Sequence, residues 1–284
     1  MTTRRNFVKK AGAGLFALGV SPMLLDNKLY GNTTAKSGSA DLFNISFAGY
    51  TFRNYDLDAT LDMLQRMDVH YLCIKDFHLP LDSTDEQIKA FHAKLAAKKV
   101  IGYGVGPIYM KTEAEADKGF AYAKRVGVKL IVGVPNYELL PYIDKKVKEY
   151  DFRYAIHIHG PDIDLYPTAL DVITRVKNLD ERIGLCLDLA HDTRAGFDPV
   201  SDLKKYHKRV YDIHLNDTTK ASKEGQLCEL GRGIVDLPAF VRTLRKVKYS
   251  GACSIELTAN KEATPFSAAE SVGFIKGVAK ATNG

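Results

Sequence analysis

The sequence predicts an α/β protein built as a single (β/α)8 TIM barrel over residues 41–284. From residue 44 onward, short apolar runs rich in β-branched residues alternate with longer amphipathic runs, as in strands joined by helices. Eight such units in about 240 residues match a closed barrel better than an open, doubly wound sheet. No Gly-x-Gly-x-x-Gly motif opens the first helix, which disfavours a dinucleotide-binding fold.

The predicted strands begin at intervals of 25 to 31 residues, apart from a longer last interval. They are residues 44–52, 70–77, 101–107, 129–135, 154–160, 183–189, 209–216 and 251–257. Residues 85–99 illustrate the helices, because Ile88, Phe91 and Leu95 recur there at helical spacing. Ser83 and Glu86 predict a capping box at the start of this helix. Within residues 41–284, no linker or second domain is predicted.

The first forty residues are predicted to be an export signal and linker that precede the barrel. Arg4 and Arg5, with Phe7 two places on, come before an apolar run over residues 11–25, as in twin-arginine-type signals. This run is shorter than the ~20 residues that a spanning helix needs. We therefore expect a periplasmic or otherwise exported protein with no stable membrane anchor. A basic amphipathic helix and a single anchor are the alternatives.

The charge of the chain is concentrated in that first segment. Residues 1–40 contain six Lys and Arg and one Asp, a net charge of +5. Of the 40 basic and 34 acidic residues in the whole chain, 34 basic and 33 acidic ones remain in residues 41–284, a net charge of +1. A nearly neutral barrel gives no support to nucleic-acid binding, which needs a basic patch.

Polar side chains lie near the ends of the last four predicted strands, where TIM-barrel enzymes place their functional residues. Because side chains alternate along a strand, one residue near the end of each strand points at the barrel axis. These residues are His157, Asp188, His214 and Glu256. Two imidazoles and two carboxylates suit one divalent metal ion, namely Mn²⁺, Co²⁺, Zn²⁺ or Mg²⁺. The alternative is that these side chains form hydrogen bonds with one another and with water at the barrel mouth, without a metal.

Further residues are candidates for contact with a substrate. His159 follows His157 by two positions and could contact the substrate, support a metal ligand from behind or act as a base; a solvated histidine is the alternative. Lys75, which points inward on the second strand, could polarise a carbonyl or hydroxyl group, and Tyr50 stands at the barrel mouth. Arg232, between two glycines after the seventh strand, could cover the substrate; the alternative is that it lies on a surface loop. The alternative for Lys75 is a lysine that reaches solvent.

Several short motifs stand in order along the chain. They are Gly49-Tyr50-Thr51-Phe52-Arg53, Leu187-Asp188-Leu189-Ala190-His191, His214-Leu215-Asn216-Asp217, Leu230-Gly231-Arg232-Gly233-Ile234-Val235-Asp236, and Tyr249-Ser250-Gly251 followed by Ile255-Glu256-Leu257. Together they resemble the sugar isomerase/epimerase superfamily of xylose-isomerase-like barrels. The resemblance covers about residues 44–280 and is strongest after residue 180.

The resemblance implies a single metal held by residues of strands five to eight. In that superfamily the ligands are Glu, Asp, His and Glu, so Asp188, His214 and Glu256 match three of them. His191 matches the histidine that contacts a substrate oxygen. The chain departs from the pattern at His157, which stands where the superfamily usually has a glutamate. His157 can bind metal as a neutral ligand, but it cannot supply a second carboxylate.

The resemblance also implies the chemistry. We expect a sugar isomerase/epimerase-like enzyme in which Glu256, His157 or His159 removes a proton next to a sugar carbonyl. The first alternative is a lyase that cleaves 3-keto-glycosides by β-elimination through the same enolate. The second is a non-catalytic sugar-binding barrel. The expected partner is a small-molecule sugar, keto-sugar or glycoside and not a nucleic acid, and an oligomer is possible.

Overall fold

Eight short apolar segments pair in parallel and close into a barrel in the computed structural model, which describes residues 41–257 and 264–282. The barrel strands are β1 (Asn44–Ala48), β2 (Tyr71–Ile74), β3 (Ile101–Met110), β4 (Leu130–Pro135), β5 (Arg153–His157), β6 (Ile183–Asp188), β7 (Val210–Leu215) and β10 (Ala252–Ile255). Two short strands, β8 (Asp217–Thr218) and β9 (Leu227–Cys228), form a separate antiparallel pair. Strand β1 pairs with both β2 and β10, and the predicted (β/α)8 TIM barrel is confirmed.

The helices that surround the barrel begin at capping side chains. They are α1 (Leu57–Arg66), α2 (Asp85–Ala97), α3 (Glu113–Val126), α4 (Leu140–Tyr150), α5 (Ala169–Val176), α6 (Leu189–Arg194), α7 (Pro199–Tyr206), α8 (Leu237–Lys246) and α9 (Pro265–Ala281). In each of these except α4, an Asp or Thr at the N-cap accepts a hydrogen bond from a backbone N–H of the first turn. Such a cap typically contributes about 1 kcal/mol.

Each predicted strand overlaps an observed one, but several ends differ. The capping box of α2 lies one residue later than Ser83 and Glu86: Thr84 accepts from the N–H of Gln87 at 3.2 Å, and Gln87 accepts from the N–H of Thr84 at 2.7 Å. Strand β1 stops at Ala48 because residues 49–52 form a 3-10 turn. Strand β3 runs on to Met110, past its predicted end at Pro107.

The alternation of side chains produces two apolar layers. Leu185 and Leu187 of β6 point outward and are fully buried between the sheet and the helices. Cys186, between them, points inward and joins a second cluster inside the barrel. The other buried members of this inner cluster are Cys73, Tyr103, Leu130, Val132, Ala155 and Ala252. The barrel is therefore a packed core, and each fully buried leucine contributes about 1.5–3 kcal/mol.

A polar layer follows this inner cluster toward the carboxyl end of the barrel. The hydroxyl of Tyr103 donates to both carboxylate oxygens of Asp212 at 3.2 Å and also contacts the hydroxyl of Ser254. Ser254 in turn contacts the Ser46 hydroxyl at 2.8 Å. Burial raises the pKa of Asp212 to about 7. Asp212 precedes His214 on β7 by two positions, so this layer supports the site above it.

The predicted export signal, residues 1–40, lies outside the described residues, and its role stays a prediction. In the part of the chain that the structure describes, none of the helices combines the length and apolar character that crossing a membrane requires.

Candidate metal centre

Four predicted ligands meet at the carboxyl end of the barrel. His157 ends β5, Asp188 ends β6, His214 is the penultimate residue of β7, and Glu256 directly follows β10. Parallel pairing aligns Asp188 with His214 and His214 with Ser254, so these strand ends stand side by side. The four residues are at most 6% exposed, and one ligand atom from each lies within 4.8 Å of the others.

The facing atoms of this cluster are close enough for one cation. Nδ1 of His214 lies 2.9 Å from Nε2 of His157 and 3.1 Å from Oε2 of Glu256. Oδ2 of Asp188 lies 3.5 Å from Nε2 of His157 and 3.7 Å from Nδ1 of His214. Tetrahedral ligands at about 2.0–2.1 Å from a zinc ion stand about 3.3 Å apart. These separations bracket that value, so the donor set fits a divalent cation.

Asp188 is held in place by the start of the next helix. Its Oδ1 caps α6 by accepting from the N–H of His191 at 2.8 Å. Its Oδ2 accepts from the amide of Asn216 at 2.7 Å, and the carbonyl of that amide accepts from the N–H of Ala190 at 2.7 Å. Because both oxygens are fixed, the carboxylate cannot turn away from the cluster.

The electrostatics of the cluster favour ionised carboxylates. Burial opposes protonation of His214, but Glu256, Asp212 and Asp188 outweigh it and raise the pKa of His214 to about 9. Burial would raise the pKa of Glu256, but His214 outweighs it and holds that pKa below its usual range. Burial and the neighbouring His214 lower the pKa of His157. Metal binding displaces ligand protons, so a cation would take the place of the proton on His214.

A cavity of about 270 Å³ opens above the cluster. Its lining contains the predicted residues Tyr50, Lys75, His157, His159, His191 and Glu256, together with Pro107 and Tyr109. The Lys75 ammonium donates to the carbonyl of Pro107 at 2.9 Å and pairs with Asp76 at 2.8 Å. Glu256 is the single carboxylate among the described residues of this lining.

Two further histidines stand on the wall of the cavity. Nε2 of His159 lies 2.7 Å from the Tyr109 hydroxyl, and burial, aided by His157 and His191, lowers the pKa of His159 to about 3. Nδ1 of His191 lies 3.5 Å from Oδ2 of Asp162. Gly160, directly after His159, adopts a left-handed conformation with φ of +58°. A Cβ at this position would stand 2.5 Å from the His191 carbonyl oxygen, so only glycine fits between the two histidines.

Arg232 lies apart from the cavity. Its guanidinium makes two hydrogen bonds to the Glu270 carboxylate, at 2.6 and 2.7 Å, and the side chain is 59% exposed. The loop around it is held by Asp217, which accepts from the backbone N–H groups of Gly231, Gly233 and Val235, each at 3.0 Å. The glycines of this motif therefore serve loop geometry, and a substrate role for Arg232 stays a prediction.

Two residues near the site were not among the predicted metal ligands or bases. Asn216 shares the inward parity of His214 and fixes Asp188. Tyr109 lies beyond the predicted end of the third strand, so its position on the cavity wall depended on the length of β3. The alternation of side chains along the strand predicts that Asn216 points inward, but not that it bonds to Asp188.

Comparison with known proteins gives a family match and a partial relative. The chain matches the family model described as xylose isomerase-like TIM barrel over residues 72–278. It is 26% identical to inosose isomerase of Bacillus licheniformis over 157 residues, which is 47% of this chain and 55% of that protein. The match thus spans about half the length of this curated relative.

Solved structures share the same architecture over most of both chains. An uncharacterized protein from Parabacteroides distasonis is 27% identical, with a TM-score of 0.65 over 83% of this chain and 99% of that chain. The IolI protein with a bound zinc atom is 18% identical, with a TM-score of 0.63 over 84% of this chain and 98% of that chain. At that identity, the second likeness concerns the fold alone.

Proposed function

The chain belongs to the xylose isomerase-like TIM barrel family, and from that premise we propose that it is a divalent-metal-dependent sugar isomerase or epimerase. The observation that carries the proposal is the buried cluster of two imidazoles and two carboxylates at the carboxyl end of the barrel. The similarity to an inosose isomerase supports it.

His157, Asp188, His214 and Glu256 would hold the cation. When bound, a divalent cation acts as a Lewis acid that favours negative charge on a carbonyl oxygen and so makes the neighbouring C–H acidic. In our proposal the cluster keeps its carboxylates ionised, and the barrel below it excludes water.

Glu256 is the base that we propose. Its Oε2 faces the cluster and its side chain lines the cavity, which leaves Oε1 to take a proton from the substrate carbon. His157 is less suited, because its Nε2 faces the cluster and its Nδ1 lies 3.3 Å from His159. Returning the proton to the former carbonyl carbon, while the proton of the neighbouring hydroxyl passes to the former carbonyl oxygen, completes an isomerisation. Returning it to the opposite face of the same carbon completes an epimerisation.

The substrate that we propose is the size of a monosaccharide. The cavity of about 270 Å³ is smaller than the range of about 300–1,000 Å³ for sites that hold drug-sized ligands. Lys75 and His191 offer hydrogen-bond donors to sugar oxygens, and Tyr50 offers an aromatic ring to the sugar carbons.

A lyase is the second candidate, favoured by the single carboxylate on the cavity wall. In a 3-keto-glycoside, Glu256 would take the proton at C2, and the C1–O bond would break with its electron pair leaving on the aglycone oxygen. That oxygen then takes up a proton, so the products are an unsaturated keto-sugar and a free aglycone. One base on one side of the sugar is sufficient for this reaction.

Metal analysis followed by NMR in D2O tests the proposal. Purified protein should contain about one divalent metal per chain and should exchange a sugar proton for deuterium without bond cleavage. Release of an aglycone with an unsaturated product would establish the lyase instead. Glu256→Gln should abolish both reactions, whereas the exposed control Glu181→Gln should not. Metal binding with neither exchange nor cleavage would leave a sugar-binding barrel and overturn the enzymatic proposal.

We propose in addition that residues 1–40 direct export through a twin-arginine-type pathway. The support is the order of Arg4, Arg5, Phe7 and the apolar run. Cell fractionation should place the protein in the periplasm, and replacing both arginines by lysine should retain it in the cytoplasm.

A further inference from the structure

Three side chains connect the metal cluster to the cavity wall. Nδ1 of His157 lies 3.3 Å from Nε2 of His159, and the same nitrogen of His159 lies 2.7 Å from the Tyr109 hydroxyl. The opposite nitrogen of His157, Nε2, is the one that faces the cluster. The two rings of this histidine pair are 4.6 Å apart and nearly perpendicular.

A metal ligand imposes the positions of the protons along this chain. A neutral imidazole carries one ring proton, and a nitrogen that binds metal must be bare. If Nε2 of His157 is the ligand atom, the proton of that ring sits on Nδ1, which must donate it to Nε2 of His159. That nitrogen of His159 is then an acceptor, and the N–H of His157 shares its one lone pair with the hydroxyl of Tyr109.

The backbone holds His159 where this chain requires it. The N–H of His159 donates to the Tyr166 carbonyl at 3.1 Å, and Gly160 turns the chain immediately afterwards. Tyr109 belongs to strand β3 and pairs with Val134 of β4. The backbone on both sides of His159 therefore fixes the position from which its Nε2 faces His157.

We propose that His159 is a positioning residue that holds His157 in the tautomer and orientation in which Nε2 binds the metal, an inference that rests on the proposed metal-dependent function. His159 then serves as a fixed acceptor and does not act as the base. Partners of this kind behind a ligating histidine typically change metal affinity by about 10- to 100-fold when they are removed.

Zinc affinity of matched variants tests the inference without a sugar. His159→Phe removes the acceptor and keeps a planar ring, whereas His159→Gln places an amide oxygen near the position of Nε2. We expect zinc to bind about 10- to 100-fold more weakly to the Phe variant, and within about threefold of the wild type to the Gln variant. Tyr109→Phe and the distant control His70→Gln should bind zinc as the wild type does.

Histidine-labelled ¹⁵N spectra of the zinc-loaded protein give a second readout, in which His159 should carry its proton on Nδ1 and His157 should carry its own on Nδ1. Wild-type zinc affinity in His159→Phe, or a proton on Nε2 of His159, would overturn the inference. Equal weakening in the Phe and Gln variants would also overturn it. A wild-type protein that binds zinc but processes no sugar refutes the proposed enzymatic function and leaves these zinc comparisons intact.

Discussion

A buried carboxyl group behind the candidate centre makes the stability of the barrel depend on pH. Asp192, on α6, is fully buried, and Asp202 of α7 is only 9% exposed. Burial, followed by the negative charge of Asp202, raises the pKa of Asp192 from 3.8 to about 8. We predict that Asp192→Asn stabilises the protein in alkaline solution, because an amide of the same shape cannot ionise.

The sign and size follow from the raised pKa. Between pH 3.8 and about 8 the folded protein keeps a proton that the unfolded chain releases, so stability is lost as the pH rises through this window. A rise of about four pKa units corresponds to about 5–6 kcal/mol at about 1.4 kcal/mol per unit. Local relaxation lowers that ceiling, and we expect about 2–3 kcal/mol at pH 9, or a Tm gain of about 5–10 °C.

Thermal melts at pH 5 and pH 9 check this prediction. The gain in Tm of Asp192→Asn over the wild type should be large at pH 9 and small at pH 5. Asp164→Asn, an exposed control, should show no such difference between the two conditions. The same change in Tm at both values of pH would refute the reasoning, since the effect would then not come from ionisation.

Three further predictions concern the centre itself. Removal of metal by EDTA should abolish turnover, and zinc at 100 times its Kd should stabilise the protein by about 2.7 kcal/mol, seen as a higher Tm. Asn216→Ala should cost about 1–3 kcal/mol in urea unfolding and weaken zinc binding, because it leaves the buried N–H of Ala190 without an acceptor and frees Asp188. Gly160→Ala should cost about 1–2 kcal/mol in unfolding for its left-handed backbone and lower kcat/KM by displacing His191.

The barrel and the cluster were accessible from the sequence for the same physical reason. A strand presents alternate residues to its two faces, and parallel strands in a barrel end at one rim. This alternation was therefore enough to identify the residues near the strand ends that point at the barrel axis, and these include His157, Asp188, His214 and Glu256. No long-range information was needed for this step.

The remaining features depend on contacts that parity does not encode. Pro107 was predicted to end the third strand, yet β3 continues to Met110 and places Tyr109 on the cavity wall. Arg232 belongs to one of the motifs and was therefore predicted to cover a substrate at the mouth of the barrel. Its loop is positioned by Asp217, whose bonds to three backbone N–H groups arise only in the folded chain.

The apolar cluster inside the barrel limits the route by which small molecules enter and leave the cavity. Tyr103, Cys186 and their neighbours fill the interior behind the centre, so a small molecule that reaches Glu256 must enter and leave at the carboxyl end of the barrel. Product release and substrate binding cannot overlap in a cavity of this size that opens only at one end. Slow release of a product would therefore delay binding of the next substrate, and turnover would be limited by both the chemical step and product release.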